Sequence, residues 1–412
     1  MLRVRWITKT ATFLALAACA DLPSTAPGFD PSTIKASADL LRVTDPCTSE
    51  RFPPASEVVF PSAQYRTLQS AVCAVTDNGT IHVLAGTHEV RITIWGKHIN
   101  IRGAGSEEEP ANWPVLRAAV PSEVVAANTA DGVINLGGGG SLSLTMLRVV
   151  GGDAGILVDA TSGPVDVRHA RFEENGRGIL HVSLAALSIK HTAFSGQLWN
   201  AISYAPIDLT AKNCGGLHVS HGAFGSTGSA GIFVRGCIHT IDHATITLAQ
   251  GGGIVAIASV VKIDQVHVAF ARYFGILLIN TFAQIDNSSI DFTQAGPLPP
   301  NPSPHFGDAI SVWTTDSPWA EGGPRPSVAL LKNNVTHLTE RAALSVFGGS
   351  VSLKGNLFFR QTFDFQSETF DGYVATLTDQ GGNACLPSIG LGDPCVVTSS
   401  QGLTPPPPIG GA

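Results

Sequence analysis

Two columns of polar residues recur along this chain at a fixed interval. The first is His169, His191, His221, His243, Gln265, Asn287 and Asn333. The second is the residue before each: Arg168, Lys190, Ser220, Asp242, Asp264, Asp286 and Lys332, with Lys354 beyond them. Imidazoles in a row could ligate a metal or move protons. Neutral His, Gln and Asn could instead pass hydrogen bonds along the row, because each offers a donor and an acceptor. Three stacked aspartates repel one another unless a cation or a proton intervenes. A calcium site at Asp242, Asp264 and Asp286 is one reading, solvated surface carboxylates the other, and no further cofactor is expected. No two facing carboxylates and no base beside a basic partner can be named, so the catalytic residues stay unassigned.

The spacing shows what must position these columns. Val219-Ser220-His221, Ile241-Asp242-His243, Ile263-Asp264-Gln265 and Ile285-Asp286-Asn287 repeat every 22 residues, each followed by Phe224, Ile246, Val268 or Ile290. A period in the low twenties built from short apolar segments predicts a parallel β-solenoid of about ten coils, strand stacked on equivalent strand. The first column is expected inside a turn core, where burial would depress the imidazole pKa values. The second is expected outside. The register slips twice. Eight residues are inserted around 204–213, and 46 residues separate Asn287 from Asn333, two periods plus two. Pro-rich stretches at 296–304 and 317–326 lie nearby, and Thr336 stands where Phe or Ile is expected.

A second repeat marks another face of the coil: Gly231-Ile232, Gly253-Ile254 and Gly275-Ile276. Alternation sends Ile232, Ile254, Ile276, Ile310 and Leu344 inward. Phe233, Val255, Leu277, Ser311 and Ser345 then point outward, followed by Arg235, Ile257, Ile279, Trp313 and Phe347. That outer face is apolar and calls for a cover: a terminal segment, the Pro-rich loops, or a partner. Trp313, Trp319, Asp308 and Arg235 are the expected ligand contacts there.

Upstream, Leu68, Ala71, Val72 and Val75 share one helical face, which suits a cap over the first coil. A strand, Thr80 to Leu84, and a turn, Gly86-Thr87-His88-Glu89, follow. The run from Tyr65 to Gly105 resembles the opening coil of pectin-lyase-like right-handed parallel β-helix proteins, nearest the pectin methylesterase branch. With the later repeats, the likeness covers roughly residues 60–360. It implies an all-β, right-handed parallel β-helix with a helical N-terminal cap. It carries no activity, because the family's lyase, esterase and hydrolase motifs are absent. Ser220-His221-Gly222 is one residue short of the polygalacturonase Gly-His-Gly spacing.

Met1-Leu2-Arg3-Val4-Arg5 and the apolar run to Ala18 read as a signal peptide (1–18), too short to span a bilayer. Leu16-Ala17-Ala18-Cys19 resembles a bacterial lipoprotein box, implying lipidation at Cys19 and an exported outer-membrane lipoprotein, facing the periplasm or the surface and held in the membrane by its lipid anchor alone. Residues 19–45 read as a tether, 46–396 as the β-helix domain closed by a disulfide loop, and 397–412 as a Pro/Gly tail. The six remaining cysteines suit an oxidising compartment. Register pairs Cys214 with Cys237 on adjacent coils, and proximity pairs Cys47 with Cys73 and Cys385 with Cys395. A formal charge of −7 argues against nucleic acid as partner. The favoured function is polysaccharide binding without efficient catalysis. A lyase or hydrolase with an unfamiliar site and an adhesive protein that binds envelope proteins are the alternatives.

Overall fold

The computed structural model describes residues 45–49, 52–119, 131–207, 214–297, 305–317, 320, 322–361, 363–386, 395 and 397–398. The expected signal peptide, Cys19, nearly all of the tether, Trp319 and the tail after residue 398 lie outside the described residues.

One coil contains the logic of the rest. Ile238–Asp242, Thr245–Ala249 and Gly252–Ile257 are three strands separated by single corners. In the first two, alternate side chains enter the interior, as the twofold repeat of a strand requires. Each strand pairs in parallel with its equivalent one coil on: Ile241 with Ile263, Ile246 with Val268, Ile254 with Ile276. The result is a right-handed parallel β-helix with three faces. Faces one and two join in a 23-stranded sheet, because Ser141–Val150 and Val165–Glu173 run through the corner between them; face three is a 12-stranded sheet. The helix is therefore longer than ten coils. The early coils escape the repeat because their corners carry other residues, such as Met146 where later coils have His.

The interior is made of like residues stacked on like. Phe172, Phe194 and Phe224 lie in parallel, 4.8 and 5.0 Å apart. The Gly-Ile repeat has a steric cause: a Cβ at Gly253 would lie 2.5 Å from the Gly275 carbonyl oxygen one coil away. Thr336 is fully buried in the column that Phe and Ile fill elsewhere.

The 46 residues between Asn287 and Asn333 form one coil, not two, since Asp286 lies directly opposite Lys332. The extra chain departs on either side of the face-three strand Asp308–Trp313. Proline lacks the N–H that a ladder needs, and the described ends of the first stretch, Gly296–Pro297 and His305–Phe306, pair with each other and not with a face.

The expected cap is present as α1, Leu68–Ala74, with the Thr67 side chain accepting from the Ser70 N–H. Gln69 acts as an artificial strand partner: it donates to the Thr93 carbonyl at 3.1 Å and accepts from the Thr93 N–H at 2.7 Å. The exposed edge of the first face-three strand is thereby satisfied. Lys97 closes the C-terminal end of α1 by donating to the Val72 and Val75 carbonyls. Thr87–Val90, expected as a turn, is a short strand. Cys47–Cys73, Cys214–Cys237 and Cys385–Cys395 are all bonded, with Cα separations of 5.3, 5.5 and 5.0 Å.

Face three has the expected phase, and its outer side is covered by the chain itself. Ile254, Ile276 and Ile310 join the interior. Phe233, Val255, Leu277, Ile279, Trp313 and Phe347 form a second apolar cluster with Phe306, Ala320 and Phe370, which belong to the excursions and to the C-terminal region.

Candidate functional site

Covering face three removes it as a ligand surface. Trp313 is 1% exposed, its indole N–H donates to Ser311 Oγ, and Phe274 and Phe347 meet it edge-on. It packs a core and offers no ring to a sugar. Asp308 is fully buried in a two-bond pair with Arg341, 2.6 Å at each contact. Its carboxylate is committed to structure, not to a ligand. Arg235 stays partly exposed on the same side, and burial holds it below the ordinary guanidinium pKa.

The histidine column is not in a turn core. His169, His191, His221, His243, Gln265, Asn287 and Asn333 each take a left-handed corner between faces one and two, with φ between 47° and 56°. That conformation favours Asn, Gly and His over most residues. All but His169 are exposed, where a buried column was expected. The rings stack outside: centroids of His169, His191, His221 and His243 lie 4.9, 4.7 and 4.8 Å apart in succession. The amide ladder inside the turn is the next residue. Asn334, Asn356 and Asn383 link side chain to side chain at 3.0 and 2.9 Å, and bond the carbonyls of Ile285, Leu331 and Leu353.

The aspartate column faces outward as expected, but each carboxylate has its own neighbour. Asp242 takes Ser220 and His243, both at 3.0 Å; Asp264 takes Asn287 at 2.9 Å; Asp286 takes Gln284 at 2.5 Å. Burial pushes the Asp242 carboxyl up, but the hydrogen bonds from His243 and Ser220 outweigh it and hold the pKa below the ordinary carboxylate value. Among the described residues, no group of three His, Cys, Asp or Glu is placed to hold a metal ion. Ser220 is not a nucleophile of the Ser-His-Asp kind. Its hydroxyl bonds the carboxylate directly, so no imidazole stands ready to take its proton.

Face two shows what these columns frame. Its far edge has a second row of left-handed residues: Glu174, Gly196, Ser226, Leu248, Phe270, Phe292, Leu338 and Arg360. Leu248, Phe270 and Phe292 are 48, 42 and 38% exposed, and the two phenyl rings stack at 4.9 Å. The outward residues between the rows are small in the central coils: Ala193, Ser195, Ala223, Gly225, Thr245 and Thr247. The outer side of face two is therefore a shallow trough along the solenoid axis. One rim is polar and the other is apolar over Leu248, Phe270 and Phe292, roughly 16 Å apart at about 3.3 Å per residue from His243 to Leu248. At one end Arg148 pairs with Glu173 at 2.6 Å. At the other, Asp291 sits between His267, at 3.4 Å, and His337, at 4.0 Å. Burial raises the Asp291 pKa, and the two imidazoles oppose the rise. Phe270, Phe292, Asp291, His267 and His337 were not singled out from the sequence. The 22-residue step from Phe270 to Phe292 and from His337 to Phe359 was the signal that could have found them.

A smaller cluster lies at the corner leading into face three. Asp131 pairs with Arg91 at 2.8 Å, and the Arg177 guanidinium lies 5.7 Å from the centre of the Trp199 ring. Asp153, one coil from Asp131, is raised by burial and by the Asp131 charge.

No protein-family model and no curated protein matches this chain. Solved structures do. The catalytic domain of a GH87 alpha-1,3-glucanase, in complex with tetrasaccharides, is 14% identical; the match covers 83% of this chain and 71% of that one, with a TM-score of 0.49. An alginate lyase from Paenibacillus sp. is 15% identical over 77% of this chain and 95% of that one, at 0.37. A mannuronan C-5 epimerase A-module from Azotobacter vinelandii is 12% identical over 76% and 91%, at 0.38. At these scores nothing about site or activity carries across, and the fold rests on the strand pairing described above.

Proposed function

We propose that this chain binds a polysaccharide laid along the trough of face two, without efficient catalysis. The trough itself carries the reading. A sugar chain alternates hydroxyl-rich edges with apolar C–H faces. The trough sets a row of imidazole and amide edges opposite an apolar rim, over a floor too small to block it. Binding sites combine apolar surface with a few placed polar groups in this way. The protein-docking alternative depended on a bare face three, and Phe306, Ala320 and Phe370 cover that face. Export as a lipoprotein anchored through Cys19 belongs to the same proposal; mass spectrometry of the mature N-terminus would test it.

The test is affinity electrophoresis through gels containing soluble polysaccharides. Gly225→Trp is the informative variant. A Cβ there meets nothing closer than 3.7 Å, and its φ is not left-handed, so the fold should tolerate the change while the floor is blocked. Wild type should be retarded by at least one polysaccharide and the variant by none. Equal retardation of both would refute the trough as the site.

A second reading rests on Asp153. A carboxyl pushed up beside an ionised partner is the arrangement of a general acid, and Arg177, which carries the Trp199 ring, is its basic neighbour. Release of reducing ends by wild type but not by Asp153→Asn would establish a hydrolase at that corner.

A further inference from the structure

The polar rim has its protons assigned by its own hydrogen bonds. An ionised carboxylate only accepts. The Ser220 hydroxyl reaches Asp242 at 3.0 Å, so its one hydrogen is spent there. The contact of 2.9 Å between Ser220 Oγ and His221 Nδ1 must then have the imidazole as donor. His243 Nδ1 lies 3.0 Å from the same carboxylate oxygen and donates to it. Both neutral rings therefore carry hydrogen on Nδ1 and a bare lone pair on Nε2. The two rings are parallel within 8°, and both residues are exposed.

From this geometry we infer that the trough selects neutral, hydroxyl-bearing glycans over polyuronates, with the Nε2 atoms of His221 and His243 as acceptors for sugar hydroxyls. This rests on the glycan reading above and specifies its ligand class. A hydroxyl gives such a lone pair a hydrogen. A uronate carboxylate brings only lone pairs and leaves two acceptors face to face. Asp242, Asp264 and Asp286 line the adjacent column and add like-charge repulsion against a polyanion. Arg168 and Lys190 lie in the earlier coils of the same column, on the far side of Ser220.

Two measurements on the full chain at pH 8 test this. In affinity electrophoresis, a neutral soluble glucan should retard the protein at a concentration on the order of tenfold below that needed with polygalacturonate, a difference of about 1.4 kcal/mol. Equal or stronger retardation by polygalacturonate would overturn the selectivity while leaving the glycan reading in place. Retardation by neither would defeat that reading as well. Separately, nitrogen-15 correlation spectra of the imidazoles should show Nδ1–H tautomers for His221 and His243 in the free protein. Nε2–H tautomers would overturn the proton assignment whatever the gels show. Asp242→Ala removes the acceptor that holds hydrogen on His243 Nδ1, so its Nε2–H tautomer should gain and the preference for the neutral glucan should shrink. An unchanged preference together with a switched tautomer would exclude the lone pairs as its cause.

Discussion

Two sets of histidines in this protein come from the same coil geometry and end in opposite environments. His221 and His243 stand at left-handed corners with ring edges in solvent. His181 and His239 lie on strands, in inward phase, with 0 and 1% exposure. His181 stacks on Tyr204 at 4.7 Å in the interior. His239 Nδ1 accepts from the Leu217 N–H at 3.0 Å, and Nε2 donates to the Gly236 carbonyl. Burial lowers His181 to about 3 and His239 to about 4, and pushes the adjacent Tyr204 hydroxyl up to about 12. Strand phase and corner geometry thus decide whether an imidazole meets solvent or becomes a latent acid sensitivity. Residue type alone does not separate the two.

Acid should break the inner set first and with the largest effect. Both folded-state pKa values lie below the unfolded value near 6.5, so the unfolded chain binds more protons in the interval between them. Stability is fully present above about pH 6.5 and is lost as pH falls toward 4 and then 3, by several kcal/mol in all. Denaturant melts at pH 8, 6, 5 and 4 would show it. His181→Phe keeps the ring stack and should remove much of the slope; a slope unchanged in that variant would count against burial of His181 as its source.

The turn between faces one and two repeats the comparison one residue apart. Asn356→Leu removes donors to Leu331 and Asn383 and leaves buried carbonyls unmet, so a loss of about 3 kcal/mol is expected from urea unfolding. Removing Cys214 and Cys237 together should cost a similar 2–3 kcal/mol. His243→Asn, on the outer side, places at that corner the residue that Asn287 and Asn333 already use, and should stay within about 0.5 kcal/mol. A large loss there would mean that the exposed stack stabilises the fold. The aspartate column should give the smallest effect. With each carboxylate already partnered, millimolar calcium is expected to raise the melting temperature by less than about 1 °C. A larger, Asp264-dependent rise would support the calcium reading.

The solenoid was legible because stacking forces side chains into a countable period. Ile241, Ile263 and Ile285 announce it, and the same count paired Cys214 with Cys237. The outward phase of face three was also readable. The need for a cover was readable too, with the Pro-rich loops and a terminal segment among its candidates; the residues that supply it were not, because Phe306, Ala320 and Phe370 reach it through excursions that follow no period. The histidine column was placed on the wrong side of its turn. Periodicity gives the interval between residues but not the sign of φ at a corner, and a left-handed residue turns outward while its successor turns in. The trough was missed for a related reason: its floor is defined by small residues such as Ala223 and Gly225, which attract no notice in a search for chemistry.

Hydroxyl-radical footprinting with and without a saturating neutral oligosaccharide tests the central claim most directly. If the ligand lies along face two, His243, Leu248, Phe270 and Phe292 should be protected from oxidation. Ile238 and Phe282, exposed on face one, should react as before. Protection of Ile238 and Phe282 without the face-two residues would contradict the account.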